Sequence, residues 1–257
     1  MTKKRPSIAV GVTTFYADLA GTHRVRFECA QEQVRTRVAA DDIVVVVDDS
    51  PTPTVAETLT SLGAHVAKQK GKGMAASKRE SCWHASEFVV AAILLNEAEK
   101  PLTEEDIEKM LRLILTGEAD VIVAERSTKS QGSFPPEQIE SEKRANDAIE
   151  KIPGLWGIRP MMGPVMFANR PEVVACFMAD SPANAKSGYA QHWGAARAQL
   201  RGYRVKRVDI DFQYPAAQRA EEENNPNIAA KRAKQEVDCP HDLRMVVAQE
   251  AGVGAGV

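Results

Sequence analysis

Ile43-Val44-Val45-Val46-Val47-Asp48-Asp49-Ser50-Pro51 decides the fold, because an unbroken apolar run ends abruptly in two carboxylates and a Ser-Pro turn. A strand with one wet face alternates in polarity. A continuous apolar run bounded by turn residues is buried on both faces, as in a parallel sheet covered by helices. In open α/β sheets the ligand crevice lies outside the carboxyl ends of such strands. Asp48 and Asp49 are therefore expected to face a ligand.

Working outward, the periodicity predicts strands and helices in alternation. Ser7 to Thr14 reads as a strand and His23 to Ala39 as a helix. After the valine run come a short helix from Val55 to Leu62, its Gly63 stop, and a strand from Ala64 to Gln69. Gly71-Lys72-Gly73 opens a helix to about Ser86, and Phe88 to Leu95 is the next apolar strand. Thr103 caps a helix with Asp106 three residues on and Ile107, Leu111 and Ile114 on one face. Gly117 ends it, and Asp120 to Glu125 is a strand. The second half is less regular. A Ser, Gly and Pro-rich loop from Ser127 to Pro136 leads into a polar helix, Glu137 to Lys151, broken by Pro153-Gly154. A strand at Pro164 to Ala168, a helix ending near Arg201-Gly202 and a strand from Tyr203 to Phe212 follow. From Gln218 the chain is charged and helical, and Gly252 to Val257 is expected to fray. The expectation is an α/β fold with a mostly parallel sheet flanked by helices. Residues 1–217 would form one domain, divided into halves at 1–126 and 127–217, and 218–257 a tail.

Composition works mainly by exclusion. The chain has 257 residues, 44% of them hydrophobic, enough for one full core. Lys and Arg number 33 against 35 Asp and Glu, a formal net charge of -2, so no global field recruits nucleic acid or an anionic membrane. That balance gives a polymeric polyanion no support and does not rule one out. Met1-Thr-Lys-Lys-Arg-Pro6 lacks the apolar stretch of a signal peptide, and no apolar run is long enough to span a membrane. A cytoplasmic location is the expectation. Cys29, Cys82, Cys176 and Cys239 show no CxxC spacing and read as reduced thiols.

Several segments carry chemistry on their own residues. Gly71-Lys72-Gly73 offers backbone N–H groups at a helix start, where the dipole favours anions, with Lys68, Lys70, Lys72, Lys78 and Arg79 around it. That suits a diphosphate, and a solvated turn is the plainer alternative. Glu97 and Glu99 stand at alternate positions after a strand, where two carboxylates can converge on Mg²⁺ or Mn²⁺. A solvated loop leading to Lys100-Pro101 is the competing reading. Gln138, Glu142 and Asn146 follow i, i+4, i+8 spacing, so they form one stripe that is either solvated or lines an acceptor pocket. Met161-Met162-Gly163-Pro164 is a candidate pocket floor, since Gly163 permits close backbone approach, or a simple turn. Asp180 and His192 are the candidate bases before and on a late helix; packed structural roles compete, most of all for His192 beside Trp193. His241, in Cys239-Pro240-His241-Asp242, reads on its own residues as a surface histidine capping a helix.

In their order, four segments resemble the GT-A type nucleotide-diphosphosugar transferases, particularly the inverting family-two glycosyltransferases, over roughly the first 210 residues. They are Ile43 to Ser50, then Lys70 to Met74 with Arg79, then Leu94-Leu95-Asn96-Glu97-Ala98-Glu99, then Ala119 to Arg126. The resemblance implies a sugar moved from a nucleotide-diphosphosugar donor to an acceptor hydroxyl, with inversion and a divalent metal. It implies that Thr13, Asp48 or Asp49 and Glu97 contact the nucleotide, Lys72 and Arg79 the diphosphate, and Glu99 and His241 the metal. Glu97-Ala98-Glu99 departs from the family's Asp-x-Asp. Asp180 or His192 would be the base, and Gln138, Glu142, Asn146 and Gly163 would meet the acceptor. That acceptor is a small metabolite, a lipid carrier, a glycan or a hydroxylated DNA base. Two rival readings are a sugar-nucleotide nucleotidyltransferase, whose Gly-rich, Arg-containing signature Gly11-Val12-Thr13-Thr14 does not supply, and a non-catalytic nucleotide-binding domain of the same fold.

Overall fold

The valine run forms strand β2 (Ile43–Asp48), and its residues divide between two apolar layers. Val44 and Val46 pack into one and Val45 into the other, which is why the run shows no alternation. The computed structural model describes residues 5–252, apart from Trp156, Met161, Met162, Phe212, Asn224 and the side chain of Glu221. Around β2 the strands are β1 (Ala9–Thr14), β3 (His65–Lys68), β4 (Ala92–Leu95), β5 (Val121–Arg126), β6 (Val165–Ala168) and β7 (Val205–Ile210). They form one seven-stranded sheet in the order β3-β2-β1-β4-β6-β5-β7. Every pairing is parallel except those of β6, which runs antiparallel to β4 and β5. The mostly parallel α/β sheet expected from the sequence is the observed one.

Helices α1 (Gly21–Ala39), α2 (Pro53–Ser61) and α4 (Glu104–Leu115) cover one face through Phe27, Val34, Leu59, Ile107 and Leu111. The other face meets α3 (Met74–Ser86), α7 (Pro171–Met178), α8 (Ala190–Leu200) and α10 (Pro226–Glu250) through Cys82, Phe177, Trp193 and Leu243. Short α5 (Thr128–Gln131), then α6 (Pro136–Glu150) and α9 (Ala216–Glu222), complete the chain. Thr103 caps α4 as expected, accepting from the Asp106 N–H while its hydroxyl donates to the Asp106 carboxylate.

Two expectations shift at element ends. The run Phe88 to Leu95 enters the sheet only at Ala92, because β1 begins at Ala9 opposite Ile93 and offers no partner further back; Val89 stands fully exposed. The tail is a wall of the molecule. α10 packs on α6 and α8 and buries Cys239, Leu243 and Val246, and each apolar side chain so buried contributes about 1.5–3 kcal/mol. No helix among the described residues is long and apolar enough to cross a membrane.

Candidate active site

At the carboxyl ends of β1 and β2 the two aspartates divide their work. Thr14 and Asp48 are register partners, and the Thr14 hydroxyl donates to Asp48 Oδ1 at 2.8 Å. The Ser50 hydroxyl and N–H donate to the same oxygen at 2.7 and 3.1 Å, and the Ser50 hydroxyl accepts from the Tyr16 N–H at 3.0 Å. Asp48 is thus buried and consumed in closing the turn, whereas Asp49 is exposed at the mouth. Thr13 is half-buried within β1. Phe15, 53% exposed beside this mouth, was not singled out by sequence reasoning. The available signal was an aromatic residue directly after a strand ending Thr13-Thr14.

Two amides at the entry of the Gly-Lys-Gly turn are taken. The Glu80 carboxylate accepts from Gly71 N–H at 2.6 Å and Lys70 N–H at 2.9 Å, so an acid sits at the start of the turn expected to hold a diphosphate. Glu80 lies on the first turns of α3 and folds back over its own entry loop. Lys72 is exposed. Arg79 turns to the Ser181 hydroxyl at 3.2 Å and stands 4.0 Å from Asp180. The cation that α3 sends inward is Lys78, 5% exposed.

The carboxylates after β4 reverse their expected roles. Extended backbone was expected to persist through Glu99; instead the chain turns at Ala98-Glu99, with Lys100 N–H donating to Glu97 C=O at 3.3 Å and the Asn96 amide donating to Lys100 C=O at 2.9 Å. The turn carries Glu99 away from the mouth. It is 3% exposed and accepts from Arg26 Nη2 at 2.7 Å and the Tyr16 hydroxyl at 3.2 Å. Glu97 is the carboxylate left facing the cavity, 2.5 Å from Lys100 Nζ. Enclosure alone would raise the Glu97 carboxyl; the charges of Lys100, Lys78 and Lys231 overcome it and hold it at about 2. Half of the Glu97 side chain is nonetheless reachable by water, because its surroundings are a cavity and not a core.

That cavity, of ≈ 150 Å³, opens beyond β4 and β5. It has room for about ten water-sized positions. Arg26, Lys78, Lys100, Arg126, Lys231 and Arg232 line it, against Glu97, Glu142 and Glu222. The stripe on α6 turns inward and is not a solvated face: Gln138 and Glu142 line the cavity, the Gln138 amide donating to Glu142 Oε1 at 2.7 Å and Arg126 pairing with Glu142 Oε2. Asn146 is fully buried one turn further on and does not line the cavity. Gly163 lines the floor, where any Cβ would meet Ala124 O at 2.4 Å. Met161 and Met162 lie outside the described residues. Buried Gln191 faces the cavity with its Oε1 unpartnered among the described residues.

The two expected bases stand in different surroundings. Asp180 projects fully into solvent and does not line the cavity. His192 does line it, stacked on Tyr189 with Nδ1 3.4 Å from Cys239 Sγ. Burial, and then the nearby Lys78 charge, pull its imidazole down to about 3, so it is neutral and weakly basic at physiological pH. His241 pairs with Asp242 at 3.2 Å and is not in the cavity wall; the first turns of α10, through Ile228, Lys231, Arg232 and Gln235, are. The tail folds back, but it brings cations and not a histidine. No cluster of three or more His, Cys, Asp or Glu able to hold a metal occurs among the described residues. With Glu99 turned away and Glu97 tied to Lys100, the donor set expected for Mg²⁺ or Mn²⁺ is reduced to one engaged carboxylate.

The mostly parallel sheet with one reversed strand, flanked by helices, matches the fold of solved GT-A type glycosyltransferases. Among solved structures, the chain is similar to mannosyl-3-phosphoglycerate synthase from Rubrobacter xylanophilus, with TM-score 0.61 and 14% identity over 98% of this chain and 77% of that one. It is similar to glucosyl-3-phosphoglycerate synthase from Mycobacterium tuberculosis with phosphoglyceric acid, at TM-score 0.62, 11% identity and 98% and 82% coverage. The same enzyme solved with Mn²⁺, UDP and phosphoglyceric acid gives TM-score 0.60 at 11% identity, covering 98% of this chain and 80% of that one. At such identities the likeness is one of fold. No family model and no curated protein matches the chain.

Proposed function

We propose that this protein is a glycosyltransferase in which the hydroxyl of a small anionic acceptor replaces the nucleoside diphosphate on a nucleotide-diphosphosugar. The observation that carries this reading is the cation-rich cavity at the ends of β4 and β5, with Lys78, Lys100, Arg126 and Arg232 each less than a tenth exposed. Six cations against three carboxylates leave a positive excess facing one cavity, with Lys78 buried and outside every ion pair among the described residues, and such an excess calls for anionic ligands. The crevice at β1 and β2 would take the nucleoside, with Asp49 available to the ribose or base and Phe15 offering an aromatic face. Sugar and diphosphate would then lie toward Glu97, and the acceptor toward Gln138, Arg126, Gln191 and the α10 wall. The similar folds whose structures hold UDP and phosphoglyceric acid support this division, as does the location of ligand sites at strand ends in open sheets. The Mn²⁺ of that neighbour is a guide to what the fold accommodates, but Glu97 and Glu99 do not reproduce a metal donor set here.

The test is release of nucleoside diphosphate from a panel of UDP-, GDP-, ADP-, CDP- and dTDP-sugars, with and without phosphoglyceric acid as acceptor. Release stimulated by the acceptor and lost in Arg126→Ala supports the reading. Binding of a nucleoside diphosphate without release from any donor would leave the domain a nucleotide-binding module.

A further inference from the structure

The cavity's ion pairs leave two cations over. Lys100 is paired with Glu97, Arg126 with Glu142, Arg232 with Glu222 at 3.5 Å, and Arg26 with Glu99. Among the described residues, neither Lys78 nor Lys231 has a carboxylate within ion-pair distance inside the cavity. Lys231 is exposed at the rim, where water solvates it. Lys78 is 5% exposed, and an ammonium so placed is costly to keep charged without a counter-ion. Its strongest charged neighbours are Glu97, Glu99 and Lys100, which places it at the position after β4. A dication bound by Glu97 would have to displace Lys100 and then sit in the field of Lys78 and Lys231, where like charges repel.

We propose that Lys78 and Lys100 take the place of a divalent metal, neutralising the diphosphate of the donor by direct ammonium contacts, with Glu97 as the positioning residue that holds Lys100 at the mouth. This rests on the reading above that a nucleoside diphosphate binds at the strand ends. Two ammonium groups supply the same positive charge as one Mg²⁺ or Mn²⁺ and need no carboxylate ligands. The geometry accounts at once for the buried Lys78, for the withdrawal of Glu99 into a pair with Arg26, and for Glu97, the cavity carboxylate next after β4, being tied to a lysine. Lys100 is further held over the Tyr214 ring, its Nζ 5.0 Å from the centroid, which fixes the ammonium without discharging it.

The experiment is calorimetric titration of the full chain with UDP, GDP, ADP, CDP and dTDP, each in EDTA and again in Mn²⁺. The preferred diphosphate should bind in EDTA with a Kd within about threefold of that in Mn²⁺. Lys78→Met, which keeps the shape and removes the charge, should raise that Kd by about tenfold or more and leave the matching nucleoside unaffected. A diphosphate that binds only with Mn²⁺ overturns this proposal and leaves the transferase reading standing. One that binds in neither condition overturns both. Equal losses for diphosphate and nucleoside in Lys78→Met would make Lys78 structural and also overturn it. Should the variant not fold, the comparison of EDTA with Mn²⁺ in the wild type decides alone.

Discussion

Two adjacent aspartates show how far single residues can be read. The sequence placed Asp48 and Asp49 at a strand's mouth, but which one closes the turn depended on Thr14 from a neighbouring strand, a partner 34 positions away. Asp48→Ala would strand the hydroxyls of Thr14 and Ser50 and should cost about 2–4 kcal/mol in urea denaturation. Asp49→Ala, at an exposed site, should change stability by less than about 0.5 kcal/mol and act on nucleotide affinity instead. His192 gives a pH signature. Its folded value of about 3 lies below the ordinary 6.5, so its neutral form stabilises the fold fully above pH 6.5 and that contribution falls as pH drops from 6.5 toward 3. Stability should decline there by up to about 1.4 kcal/mol per pH unit more in the wild type than in His192→Gln. Equal slopes in the two proteins would show that the imidazole titrates freely.

The elements themselves were legible, because apolar periodicity and Gly, Pro and Thr punctuation are local signals. All seven strands appear where the pattern put them, and the reversed direction of β6 did not, since direction leaves no trace in composition. What local reading missed was the fate of short connections. The segment after β4 looked extended because Pro101 restricts Lys100, yet restriction of one residue does not prevent a turn two residues earlier. Glu99 consequently ties β4 to α1 through Arg26 and Tyr16. Glu99→Gln should cost about 1–3 kcal/mol of stability while leaving any response to Mn²⁺ unchanged. A variant of native stability that loses nucleotide binding would return Glu99 to the site. The Gly71-Lys72-Gly73 turn shows the same limit: Glu80, further along α3, takes the Lys70 and Gly71 amides, a contact that no local pattern announces.

At the scale of the whole molecule the largest gap between sequence and structure is the tail. The sequence marked it as charged and helical without showing what it packs on; Cys239, Leu243 and Val246 recur at helical spacing on one side of α10 and complete the second core. Leu243→Ala should therefore destabilise the entire domain by about 2–5 kcal/mol in a single cooperative transition. Lys231→Ala, at an exposed position nearer the start of the same helix, should leave unfolding untouched and weaken anion binding in the cavity. Those cations could not be assigned to a site from sequence, because the balanced net charge hides a local excess assembled from α1, α3, β5 and α10. Hydrogen exchange of the wild type with the panel of nucleotide-diphosphosugars tests the central claim most directly. The account predicts slowed exchange at residues 48–52, 71–80 and 96–101 together with the first turns of α10, and none at the opposite ends of the strands. A sugar nucleotide that binds while leaving these segments unprotected, or no binding by any of the five nucleotide classes at millimolar concentration, would contradict it.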